Sequence, residues 1–162
     1  MKTYTAVKHV FFILASMLLT ATLAGTVGAV NAAELTITVS GIKQAKGNLY
    51  IRVYASDSQW LSQDEDGPLA TEVIDLEALD FSANNTGEIT RAFQLPEGTY
   101  AATAIHDSNK NGKLDSDWRG VPKEPTGTTG AGKKEGPPKF SESEFELSSQ
   151  GSAKTIRLSQ YQ

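Results

Sequence analysis

The sequence contains no cysteine among its 162 residues. This absence excludes disulfide bonds, thiolate metal sites, a cysteine nucleophile and attachment of a lipid through an N-terminal cysteine. A small exported domain without disulfides depends on its hydrophobic core, or on a bound metal, to stay folded.

Histidine and clusters of basic residues are also scarce. The two histidines are His9 and His106, and 15 basic residues stand against 19 acidic ones, a formal net charge of −4. An acidic chain without a basic cluster is a poor candidate for binding nucleic acid or an anionic membrane surface. Its carboxylates are better suited to cations.

A long apolar run occurs once, near the N-terminus. Lys2 and Lys8 precede the almost wholly apolar stretch 10–23, and the small residues of Val30–Ala32 follow it. This order is typical of a secretory signal peptide. We therefore predict that residues 1–32 are removed and that the protein is exported, to the periplasm or outside the cell, with no membrane insertion after cleavage.

The alternative is a permanent membrane anchor, because the apolar stretch through Val30 is just long enough to span a bilayer. The threonines and glycines between residues 20 and 28 weaken that interpretation. Cleavage leaves residues 33–162, which suffice for one domain. Because Lys2 and Lys8 are removed and no acidic residue is, the net charge becomes −6.

The remaining sequence alternates apolar and polar residues, the pattern of half-buried strands. The segments with this pattern are 34–40, 48–55, 71–74, 88–95, 99–107, 139–147 and 153–158. They predict a single antiparallel β-sandwich of about seven strands with no convincing helix. We expect the first two strands to pair with each other, and no regular element in 120–125 or 127–138, which are rich in Gly and Pro.

The segment 107–117, here called the Asx loop, has the strongest functional pattern. Asp107, Asn109 and Asn111 alternate, and Gly112 follows. Oxygen side chains at positions 1, 3 and 5 with glycine at 6 match a calcium loop, because Ca²⁺ binds six to eight oxygens and glycine permits the sharp turn. The further expected ligands are the backbone carbonyl of Lys113 and the carboxylates of Asp115 and Asp117.

The calcium pattern is incomplete, since position 12 of the loop is Trp118 where an EF-hand has a bidentate glutamate. The alternative is that Asn and Asp cluster here because the chain turns, with side chains bonding their own backbone. Asn111-Gly112 is by itself a strong turn signal. In that case the protein is a metal-free envelope protein with a rigid turn.

Two further functional interpretations have less support in the sequence than the calcium loop. The segment 127–133 is similar to a phosphate-binding loop. However, Lys134 replaces the required Ser or Thr, and Pro137 prevents the helix that should follow, so we expect no bound nucleotide.

A hydrolase or metalloenzyme would have to use His106. No serine is paired with His106 in the sequence, and one histidine is few for a zinc or copper site. We therefore predict no catalytic residues.

Four motifs resemble a known bacterial family in their order and spacing. They are 100–107, 109–115, 120–125 and 136–140, and together they resemble domain of unknown function 2141 over about residues 34–160. The resemblance implies an exported protein without an established activity. The hairpin 95–100 resembles those of transthyretin-like sandwiches, which implies a Greek-key fold and a binding or structural role.

The sequence departs from the family pattern after Pro125, where 126–132 replaces the usual aromatic residue and asparagines. The leading hypothesis is an exported β-sandwich module with one structural Ca²⁺ in the Asx loop. The Gly- and Pro-rich segment that follows, with Trp118, would then be the surface offered to an unknown protein or glycan partner.

Overall fold

The computed structural model describes residues 32–79, 87–130 and 136–160. Its strands are β1 Ala32–Ser40, β2 Asn48–Tyr54, β3 Ala70–Asp75, β4 Ile89–Pro96, β5 Gly98–Asp107, β6 Thr126–Thr128, β7 Phe145–Leu147 and β8 Ser152–Arg157. A single α-helical turn, α1, spans Phe140–Ser143, and short 3-10 turns span Asp57–Gln59 and Leu76–Ala78. In this part of the chain no helix is long and apolar enough to cross a membrane.

The strands form two sheets that pack together, which confirms the predicted all-β sandwich. One sheet has the order β4-β1-β8, and the other has the order β3-β2-β5-β6, with β7 also pairing with β5. Strand β5 is central, as predicted from its small residues. The pairing of β1 with β8 is parallel, so the antiparallel arrangement does not extend to the whole sandwich.

The core lies between the two sheets and follows the alternation of the sequence. The wholly buried aliphatic residues in the described part of the chain include Leu35, Ile37, Val39, Leu49, Ile51, Val53, Leu76 and Ile156. Ala102 and Ala104 of β5 belong to the same cluster. Since each successive side chain of a strand points to the opposite face, the other face of β2 and β5 is directed away from this core.

Three predictions of local structure are wrong, and one is the strand 139–147, in which Phe140–Ser143 form the helical turn α1 and only Phe145–Leu147 form a strand. Strand β1 pairs with β4 and β8, whereas β2 pairs with β3 and β5, so the first two strands lie in different sheets. Both strands bury an apolar row, and placing them in opposite sheets lets the two rows meet in one core.

Regular structure also occurs in the Gly- and Pro-rich segment, where β6 pairs with β5. Gly127 also lets β6 lie against the end of β8, because a Cβ at that position would lie 2.6 Å from the backbone oxygen of Arg157. In the sequence Gly127 indicates a loop, whereas in the structure it allows two backbone segments to lie close together.

The second sheet carries additional residues on the face turned away from the core. Tyr54, Ala101 and Phe140 form a second buried cluster, with Trp60 packed against it. The Trp60 Nε1–H donates to the Pro138 carbonyl at 2.7 Å. Loop segments from different parts of the chain therefore cover this face.

The predicted signal peptide, except for Ala32, lies outside the described residues and stays a prediction. The described fold begins at Ala32, the first residue of β1, where it pairs with Pro96.

Candidate metal site in the Asx loop

The Asx loop begins at the last residue of the central strand β5. The Asp107 side chain is 0 % exposed. Its Oδ1 accepts a hydrogen bond from the Asn111 N–H at 3.2 Å, and its Oδ2 accepts one from the Gly112 N–H at 2.8 Å. The carboxylate therefore closes the first turn of the loop from beneath, and Gly112 adopts the positive φ of 78° that this turn requires.

The two asparagines continue this pattern along the loop. Asn109 Oδ1 accepts from the Asn111 N–H at 3.0 Å, and Asn111 Oδ1 accepts from the Lys113 N–H at 2.9 Å. Their amide nitrogens both donate to the Asp115 carboxylate, at 2.7 Å from Asn109 and at 3.2 Å from Asn111. The structure thus brings together Asn109, Asn111 and Asp115, with Asp107 beneath them.

Glu124 is part of this arrangement although the sequence analysis did not identify it. The side chain is buried, and its two oxygens accept from the Ser108 N–H at 2.9 Å and the Asp115 N–H at 3.2 Å. It therefore joins the two ends of the loop. No local sequence pattern identified Glu124, because its burial and its two backbone partners depend on how the chain returns to the loop.

Asp117 lies in the next turn and serves a different purpose. Its Oδ1 accepts from the Arg119 and Val121 N–H groups, at 2.8 and 3.0 Å, and its Oδ2 pairs with the Arg119 guanidinium at 2.8 Å. The structure therefore does not place this carboxylate with the cluster around Asp115. Lys113 takes part in the loop through its backbone, as expected.

A salt bridge fixes the outer edge of the Asx loop. Lys110 has a positive φ of 59°, and its Nζ lies 3.1 Å from Asp75 Oδ1 and 3.2 Å from Glu77 Oε2. The hydrogen bond from Lys110 lowers the pKa of Asp75 from its ordinary value. The pKa of Glu77 is also lowered, first because the Gly47 N–H donates to it and then because of Lys110.

These shifts predict a loss of stability in acid. A carboxyl group with a lowered folded-state pKa stabilises the fold fully above its unfolded pKa, and this contribution is lost as the pH falls through the folded value. We expect stability to decline below about pH 4.5, and Lys110→Asn to make that decline shallower. Asparagine tolerates the positive φ, so the variant removes the charge without changing the turn.

Thermal melts at a series of pH values test this expectation. The matched control is Lys43→Asn, which removes one positive charge from an exposed position outside the Asx loop. An acid decline that is equally steep in wild type and Lys110→Asn would contradict the assignment of the shifts to Lys110.

His106 is buried in a structural position beside the Asx loop. Its Nε2 lies 2.7 Å from the Lys46 carbonyl oxygen, and its backbone N–H donates to the Pro125 carbonyl at 2.9 Å. Because a carbonyl accepts hydrogen bonds, Nε2 carries the proton in this contact. The imidazole therefore links the 43–47 turn to the end of β5 through a hydrogen bond. This is a structural role.

The donor set of the Asx loop agrees with the chemistry of Ca²⁺, which binds carboxylate, amide and backbone oxygens. Within residues 32–79, 87–130 and 136–160, however, no three histidine or acidic side chains converge on one point as metal ligands. Binding would have to replace the hydrogen bonds between the Asn109 and Asn111 amides and Asp115. Each Asp107 oxygen accepts one hydrogen bond and retains a second lone pair.

The fold and the loop define the class: an all-β sandwich with an Asn- and Asp-rich loop at the end of its central strand. The chain belongs to the family of uncharacterised proteins conserved in bacteria known as DUF2141, whose family model matches residues 37–156. The predicted resemblance is confirmed. No curated protein and no solved structure matches the chain.

Proposed function

We propose that this protein is an exported binding or structural module in which the Asx loop holds one structural Ca²⁺. The side chains of Asp107, Asn109, Asn111 and Asp115 and the Lys113 carbonyl would supply the oxygens. Asp117 is left out of this set because its carboxylate is engaged by Arg119 and Val121.

The observation that carries the proposal is the complete burial of the Asp107 carboxylate. Its described hydrogen-bond partners are two backbone N–H groups, and no described Lys, Arg or His forms an ion pair with it. Buried charges are normally paired or coordinated to a metal, because removing a carboxylate from water is costly. The buried Glu124 and the Asp115 carboxylate add negative charge to the same loop.

The metal would fix the exit of β5 and the course of the chain that follows. Glu124 already connects Ser108 to Asp115, and the Lys123 N–H donates to the Asp115 carbonyl at 2.8 Å. A cation held by Asp115 would therefore stiffen the segment leading to Pro125. Trp118 projects from this segment with 92 % of its side chain exposed, and we propose this surface for a protein or glycan partner.

The second candidate is a metal-free envelope protein in which the Asx loop is a rigid turn. The observation that favours it is that Asp107, Asn109 and Asn111 all accept hydrogen bonds from backbone N–H groups two to five residues ahead. Such bonds are the ordinary reason for Asn and Asp to occur in turns.

Direct binding measurements separate the two candidates. Isothermal titration of the purified protein with Ca²⁺ should show one site, and Asp115→Asn should weaken it by at least about tenfold, or about 1.4 kcal/mol. Asp117→Asn is the matched control. It removes the same charge only two residues from Asp115, but the Asp117 carboxylate is outside the proposed ligand set. Binding that is absent in wild type, or equal in both variants, would support the metal-free turn.

A further inference from the structure

A second region of the molecule, next to the Asx loop, contains polar atoms without partners. The Arg52 side chain is 5 % exposed and the Thr103 side chain is 4 % exposed. Among the described residues, Arg52 Nη1 and Thr103 Oγ1 are buried side-chain atoms that have no hydrogen-bond partner. Buried polar groups are nearly always hydrogen-bonded, so an isolated pair of them requires an explanation.

The two residues are neighbours on the face of the second sheet that is turned away from the core. Arg52 on β2 is directly paired with Thr103 on β5. Tyr50 and Tyr54 flank Arg52 on the same face of β2, and the guanidinium lies 5.0 Å from the centre of the Tyr50 ring. Burial raises the pKa of Tyr54, and the nearby Thr103 hydroxyl and Arg52 guanidinium oppose this rise. The phenol, the hydroxyl and the guanidinium therefore lie close together.

An open cleft of about 910 Å³ lies over this face, and we call it the outer cleft. Thr103 and Tyr54 line it, whereas Arg52 lies next to Thr103 behind the lining, so the two unpartnered polar atoms are buried at the inner wall of the cleft. The cleft is within the usual size range of small-molecule sites, about 300–1,000 Å³. Much of its wall is apolar, formed by residues that include Leu61, Ile105, Leu114, Val121 and Pro138.

The charge that favours an anion is the buried guanidinium of Arg52. The described charged residues that line the outer cleft are close to balanced, because Arg119 already pairs with Asp117 and Arg157 is opposed by Glu142. Arg52 adds a buried guanidinium without an ion pair in the described part of the chain. A guanidinium presents a planar set of donors that matches a carboxylate, and such hydrogen bonds are stronger than neutral ones.

From these observations we infer that the outer cleft binds a small organic carboxylate with an apolar body, its oxygens meeting Arg52 and Thr103. The ligand's apolar part lies against Leu61, Ile105 and Leu114. The proposal does not depend on calcium, because none of the proposed metal ligands lines the outer cleft.

The apolar walls decide between a carboxylate with an apolar body and a free inorganic anion. A free phosphate would leave Leu61, Leu114 and Val121 without a partner, whereas a hydrocarbon or aromatic body buries them. Octanoate is therefore a suitable probe, octanamide is its neutral counterpart, and inorganic phosphate tests the excluded class.

The test combines titration calorimetry with thermal melts of the purified protein. Octanoate should bind and raise the melting midpoint, while octanamide and phosphate should bind at least about tenfold more weakly, as expected for loss of the charge-assisted contact or of the apolar one. Arg52→Met should reduce octanoate affinity by a similar factor. Thr103→Val should reduce it by a smaller factor.

The same variants are not expected to unfold the protein. Arg52→Met replaces a buried charge without an ion pair by an apolar side chain of similar length, a change that is often neutral or stabilising. Its melting midpoint without ligand should equal or exceed that of wild type. Lys154→Met, which removes a half-buried cation from β8 outside the outer cleft, is the matched control and should leave octanoate binding unchanged.

Three results would overturn the inference. One is that wild type shows no octanoate-dependent shift and no heat of binding. Another is that Arg52→Met and wild type bind octanoate equally, which would mean that the guanidinium does not recognise the anion. Phosphate binding stronger than octanoate binding would also contradict the proposed ligand class.

Discussion

Asp107→Ala should lower the free energy of unfolding by roughly 2–4 kcal/mol, even in the absence of metal. The substitution removes a completely buried carboxylate, leaves the Gly112 N–H without its acceptor and leaves the Asn111 N–H with Asn109 Oδ1 alone. Each unsatisfied buried donor costs about 1–3 kcal/mol, and partial access of water to the opened loop reduces the total. Chemical denaturation with the metal removed by chelator gives the value directly.

The control for Asp107→Ala is Asp66→Ala, at an exposed position, where we expect a change within about 0.5 kcal/mol. Equal stability of the two variants would show that Asp107 does not support the turn. Because Asp107→Ala is destabilising with or without calcium, it cannot distinguish a metal site from a rigid turn. Asp115, which is less buried, is the position that can.

Gly47→Ala should be the most disruptive single substitution considered, with a loss of at least about 3 kcal/mol or failure to fold. A Cβ at this position would lie 2.1 Å from the backbone oxygen of Asp107 and 2.7 Å from the Cα of Ser108. The atoms it meets belong to the backbone, so no side-chain rotation relieves the clash. The positive φ of 82° adds the strain of a left-handed conformation.

Gly120→Ala separates these two contributions. Gly120 has almost the same φ, 81°, but a Cβ there would have nothing within 4 Å. We therefore expect Gly120→Ala to cost about 1–2 kcal/mol, the penalty of the left-handed conformation alone. Denaturant unfolding of both variants measures the difference. Similar losses for Gly47→Ala and Gly120→Ala would contradict the close approach of Gly47 to the exit of β5.

The sequence predicted the sandwich well because its strands have strong two-residue periodicity. Leu35, Ile37 and Val39 on β1 and the small residues of β5 were correctly expected to be buried or central. The pairing of β1 was not predictable in the same way, since alternation shows which face is buried but not which strand lies alongside. The same limit applies to the parallel pairing of β1 with β8, which joins opposite ends of the chain.

The Asx loop was predictable in its local turns but not in its long-range contacts. The bonds from Asn109 and Asn111 to nearby N–H groups follow from short-range spacing. The contacts of Glu124 with Ser108 and Asp115 depend on how the chain returns after Trp118, which no local pattern specifies. Alternation places Arg52 on the outward face of β2, and the sequence does not show that this position is buried in the folded protein.

The two proposed sites lie close together at the end of the second sheet. The Tyr50 hydroxyl is beside Gly112, 3.8 Å from where a Cβ of that glycine would stand, and the Arg52 guanidinium lies near the same ring. In addition, the Leu114 N–H donates to Gln63 Oε1 at 2.6 Å, and both residues line the outer cleft. The Asx loop thus forms part of the wall of the outer cleft.

A thermal melt in excess Ca²⁺ and in chelator, comparing wild type with Asp115→Asn and Asp117→Asn, tests the central claim most directly. Ligand at a hundredfold excess over its dissociation constant stabilises a protein by about 2.7 kcal/mol. That corresponds to a rise of several degrees in the midpoint of a domain of this size. The account predicts this rise in wild type and Asp117→Asn and its loss in Asp115→Asn. Identical wild-type midpoints in calcium and in chelator would contradict it and would leave the Asx loop as a metal-free turn.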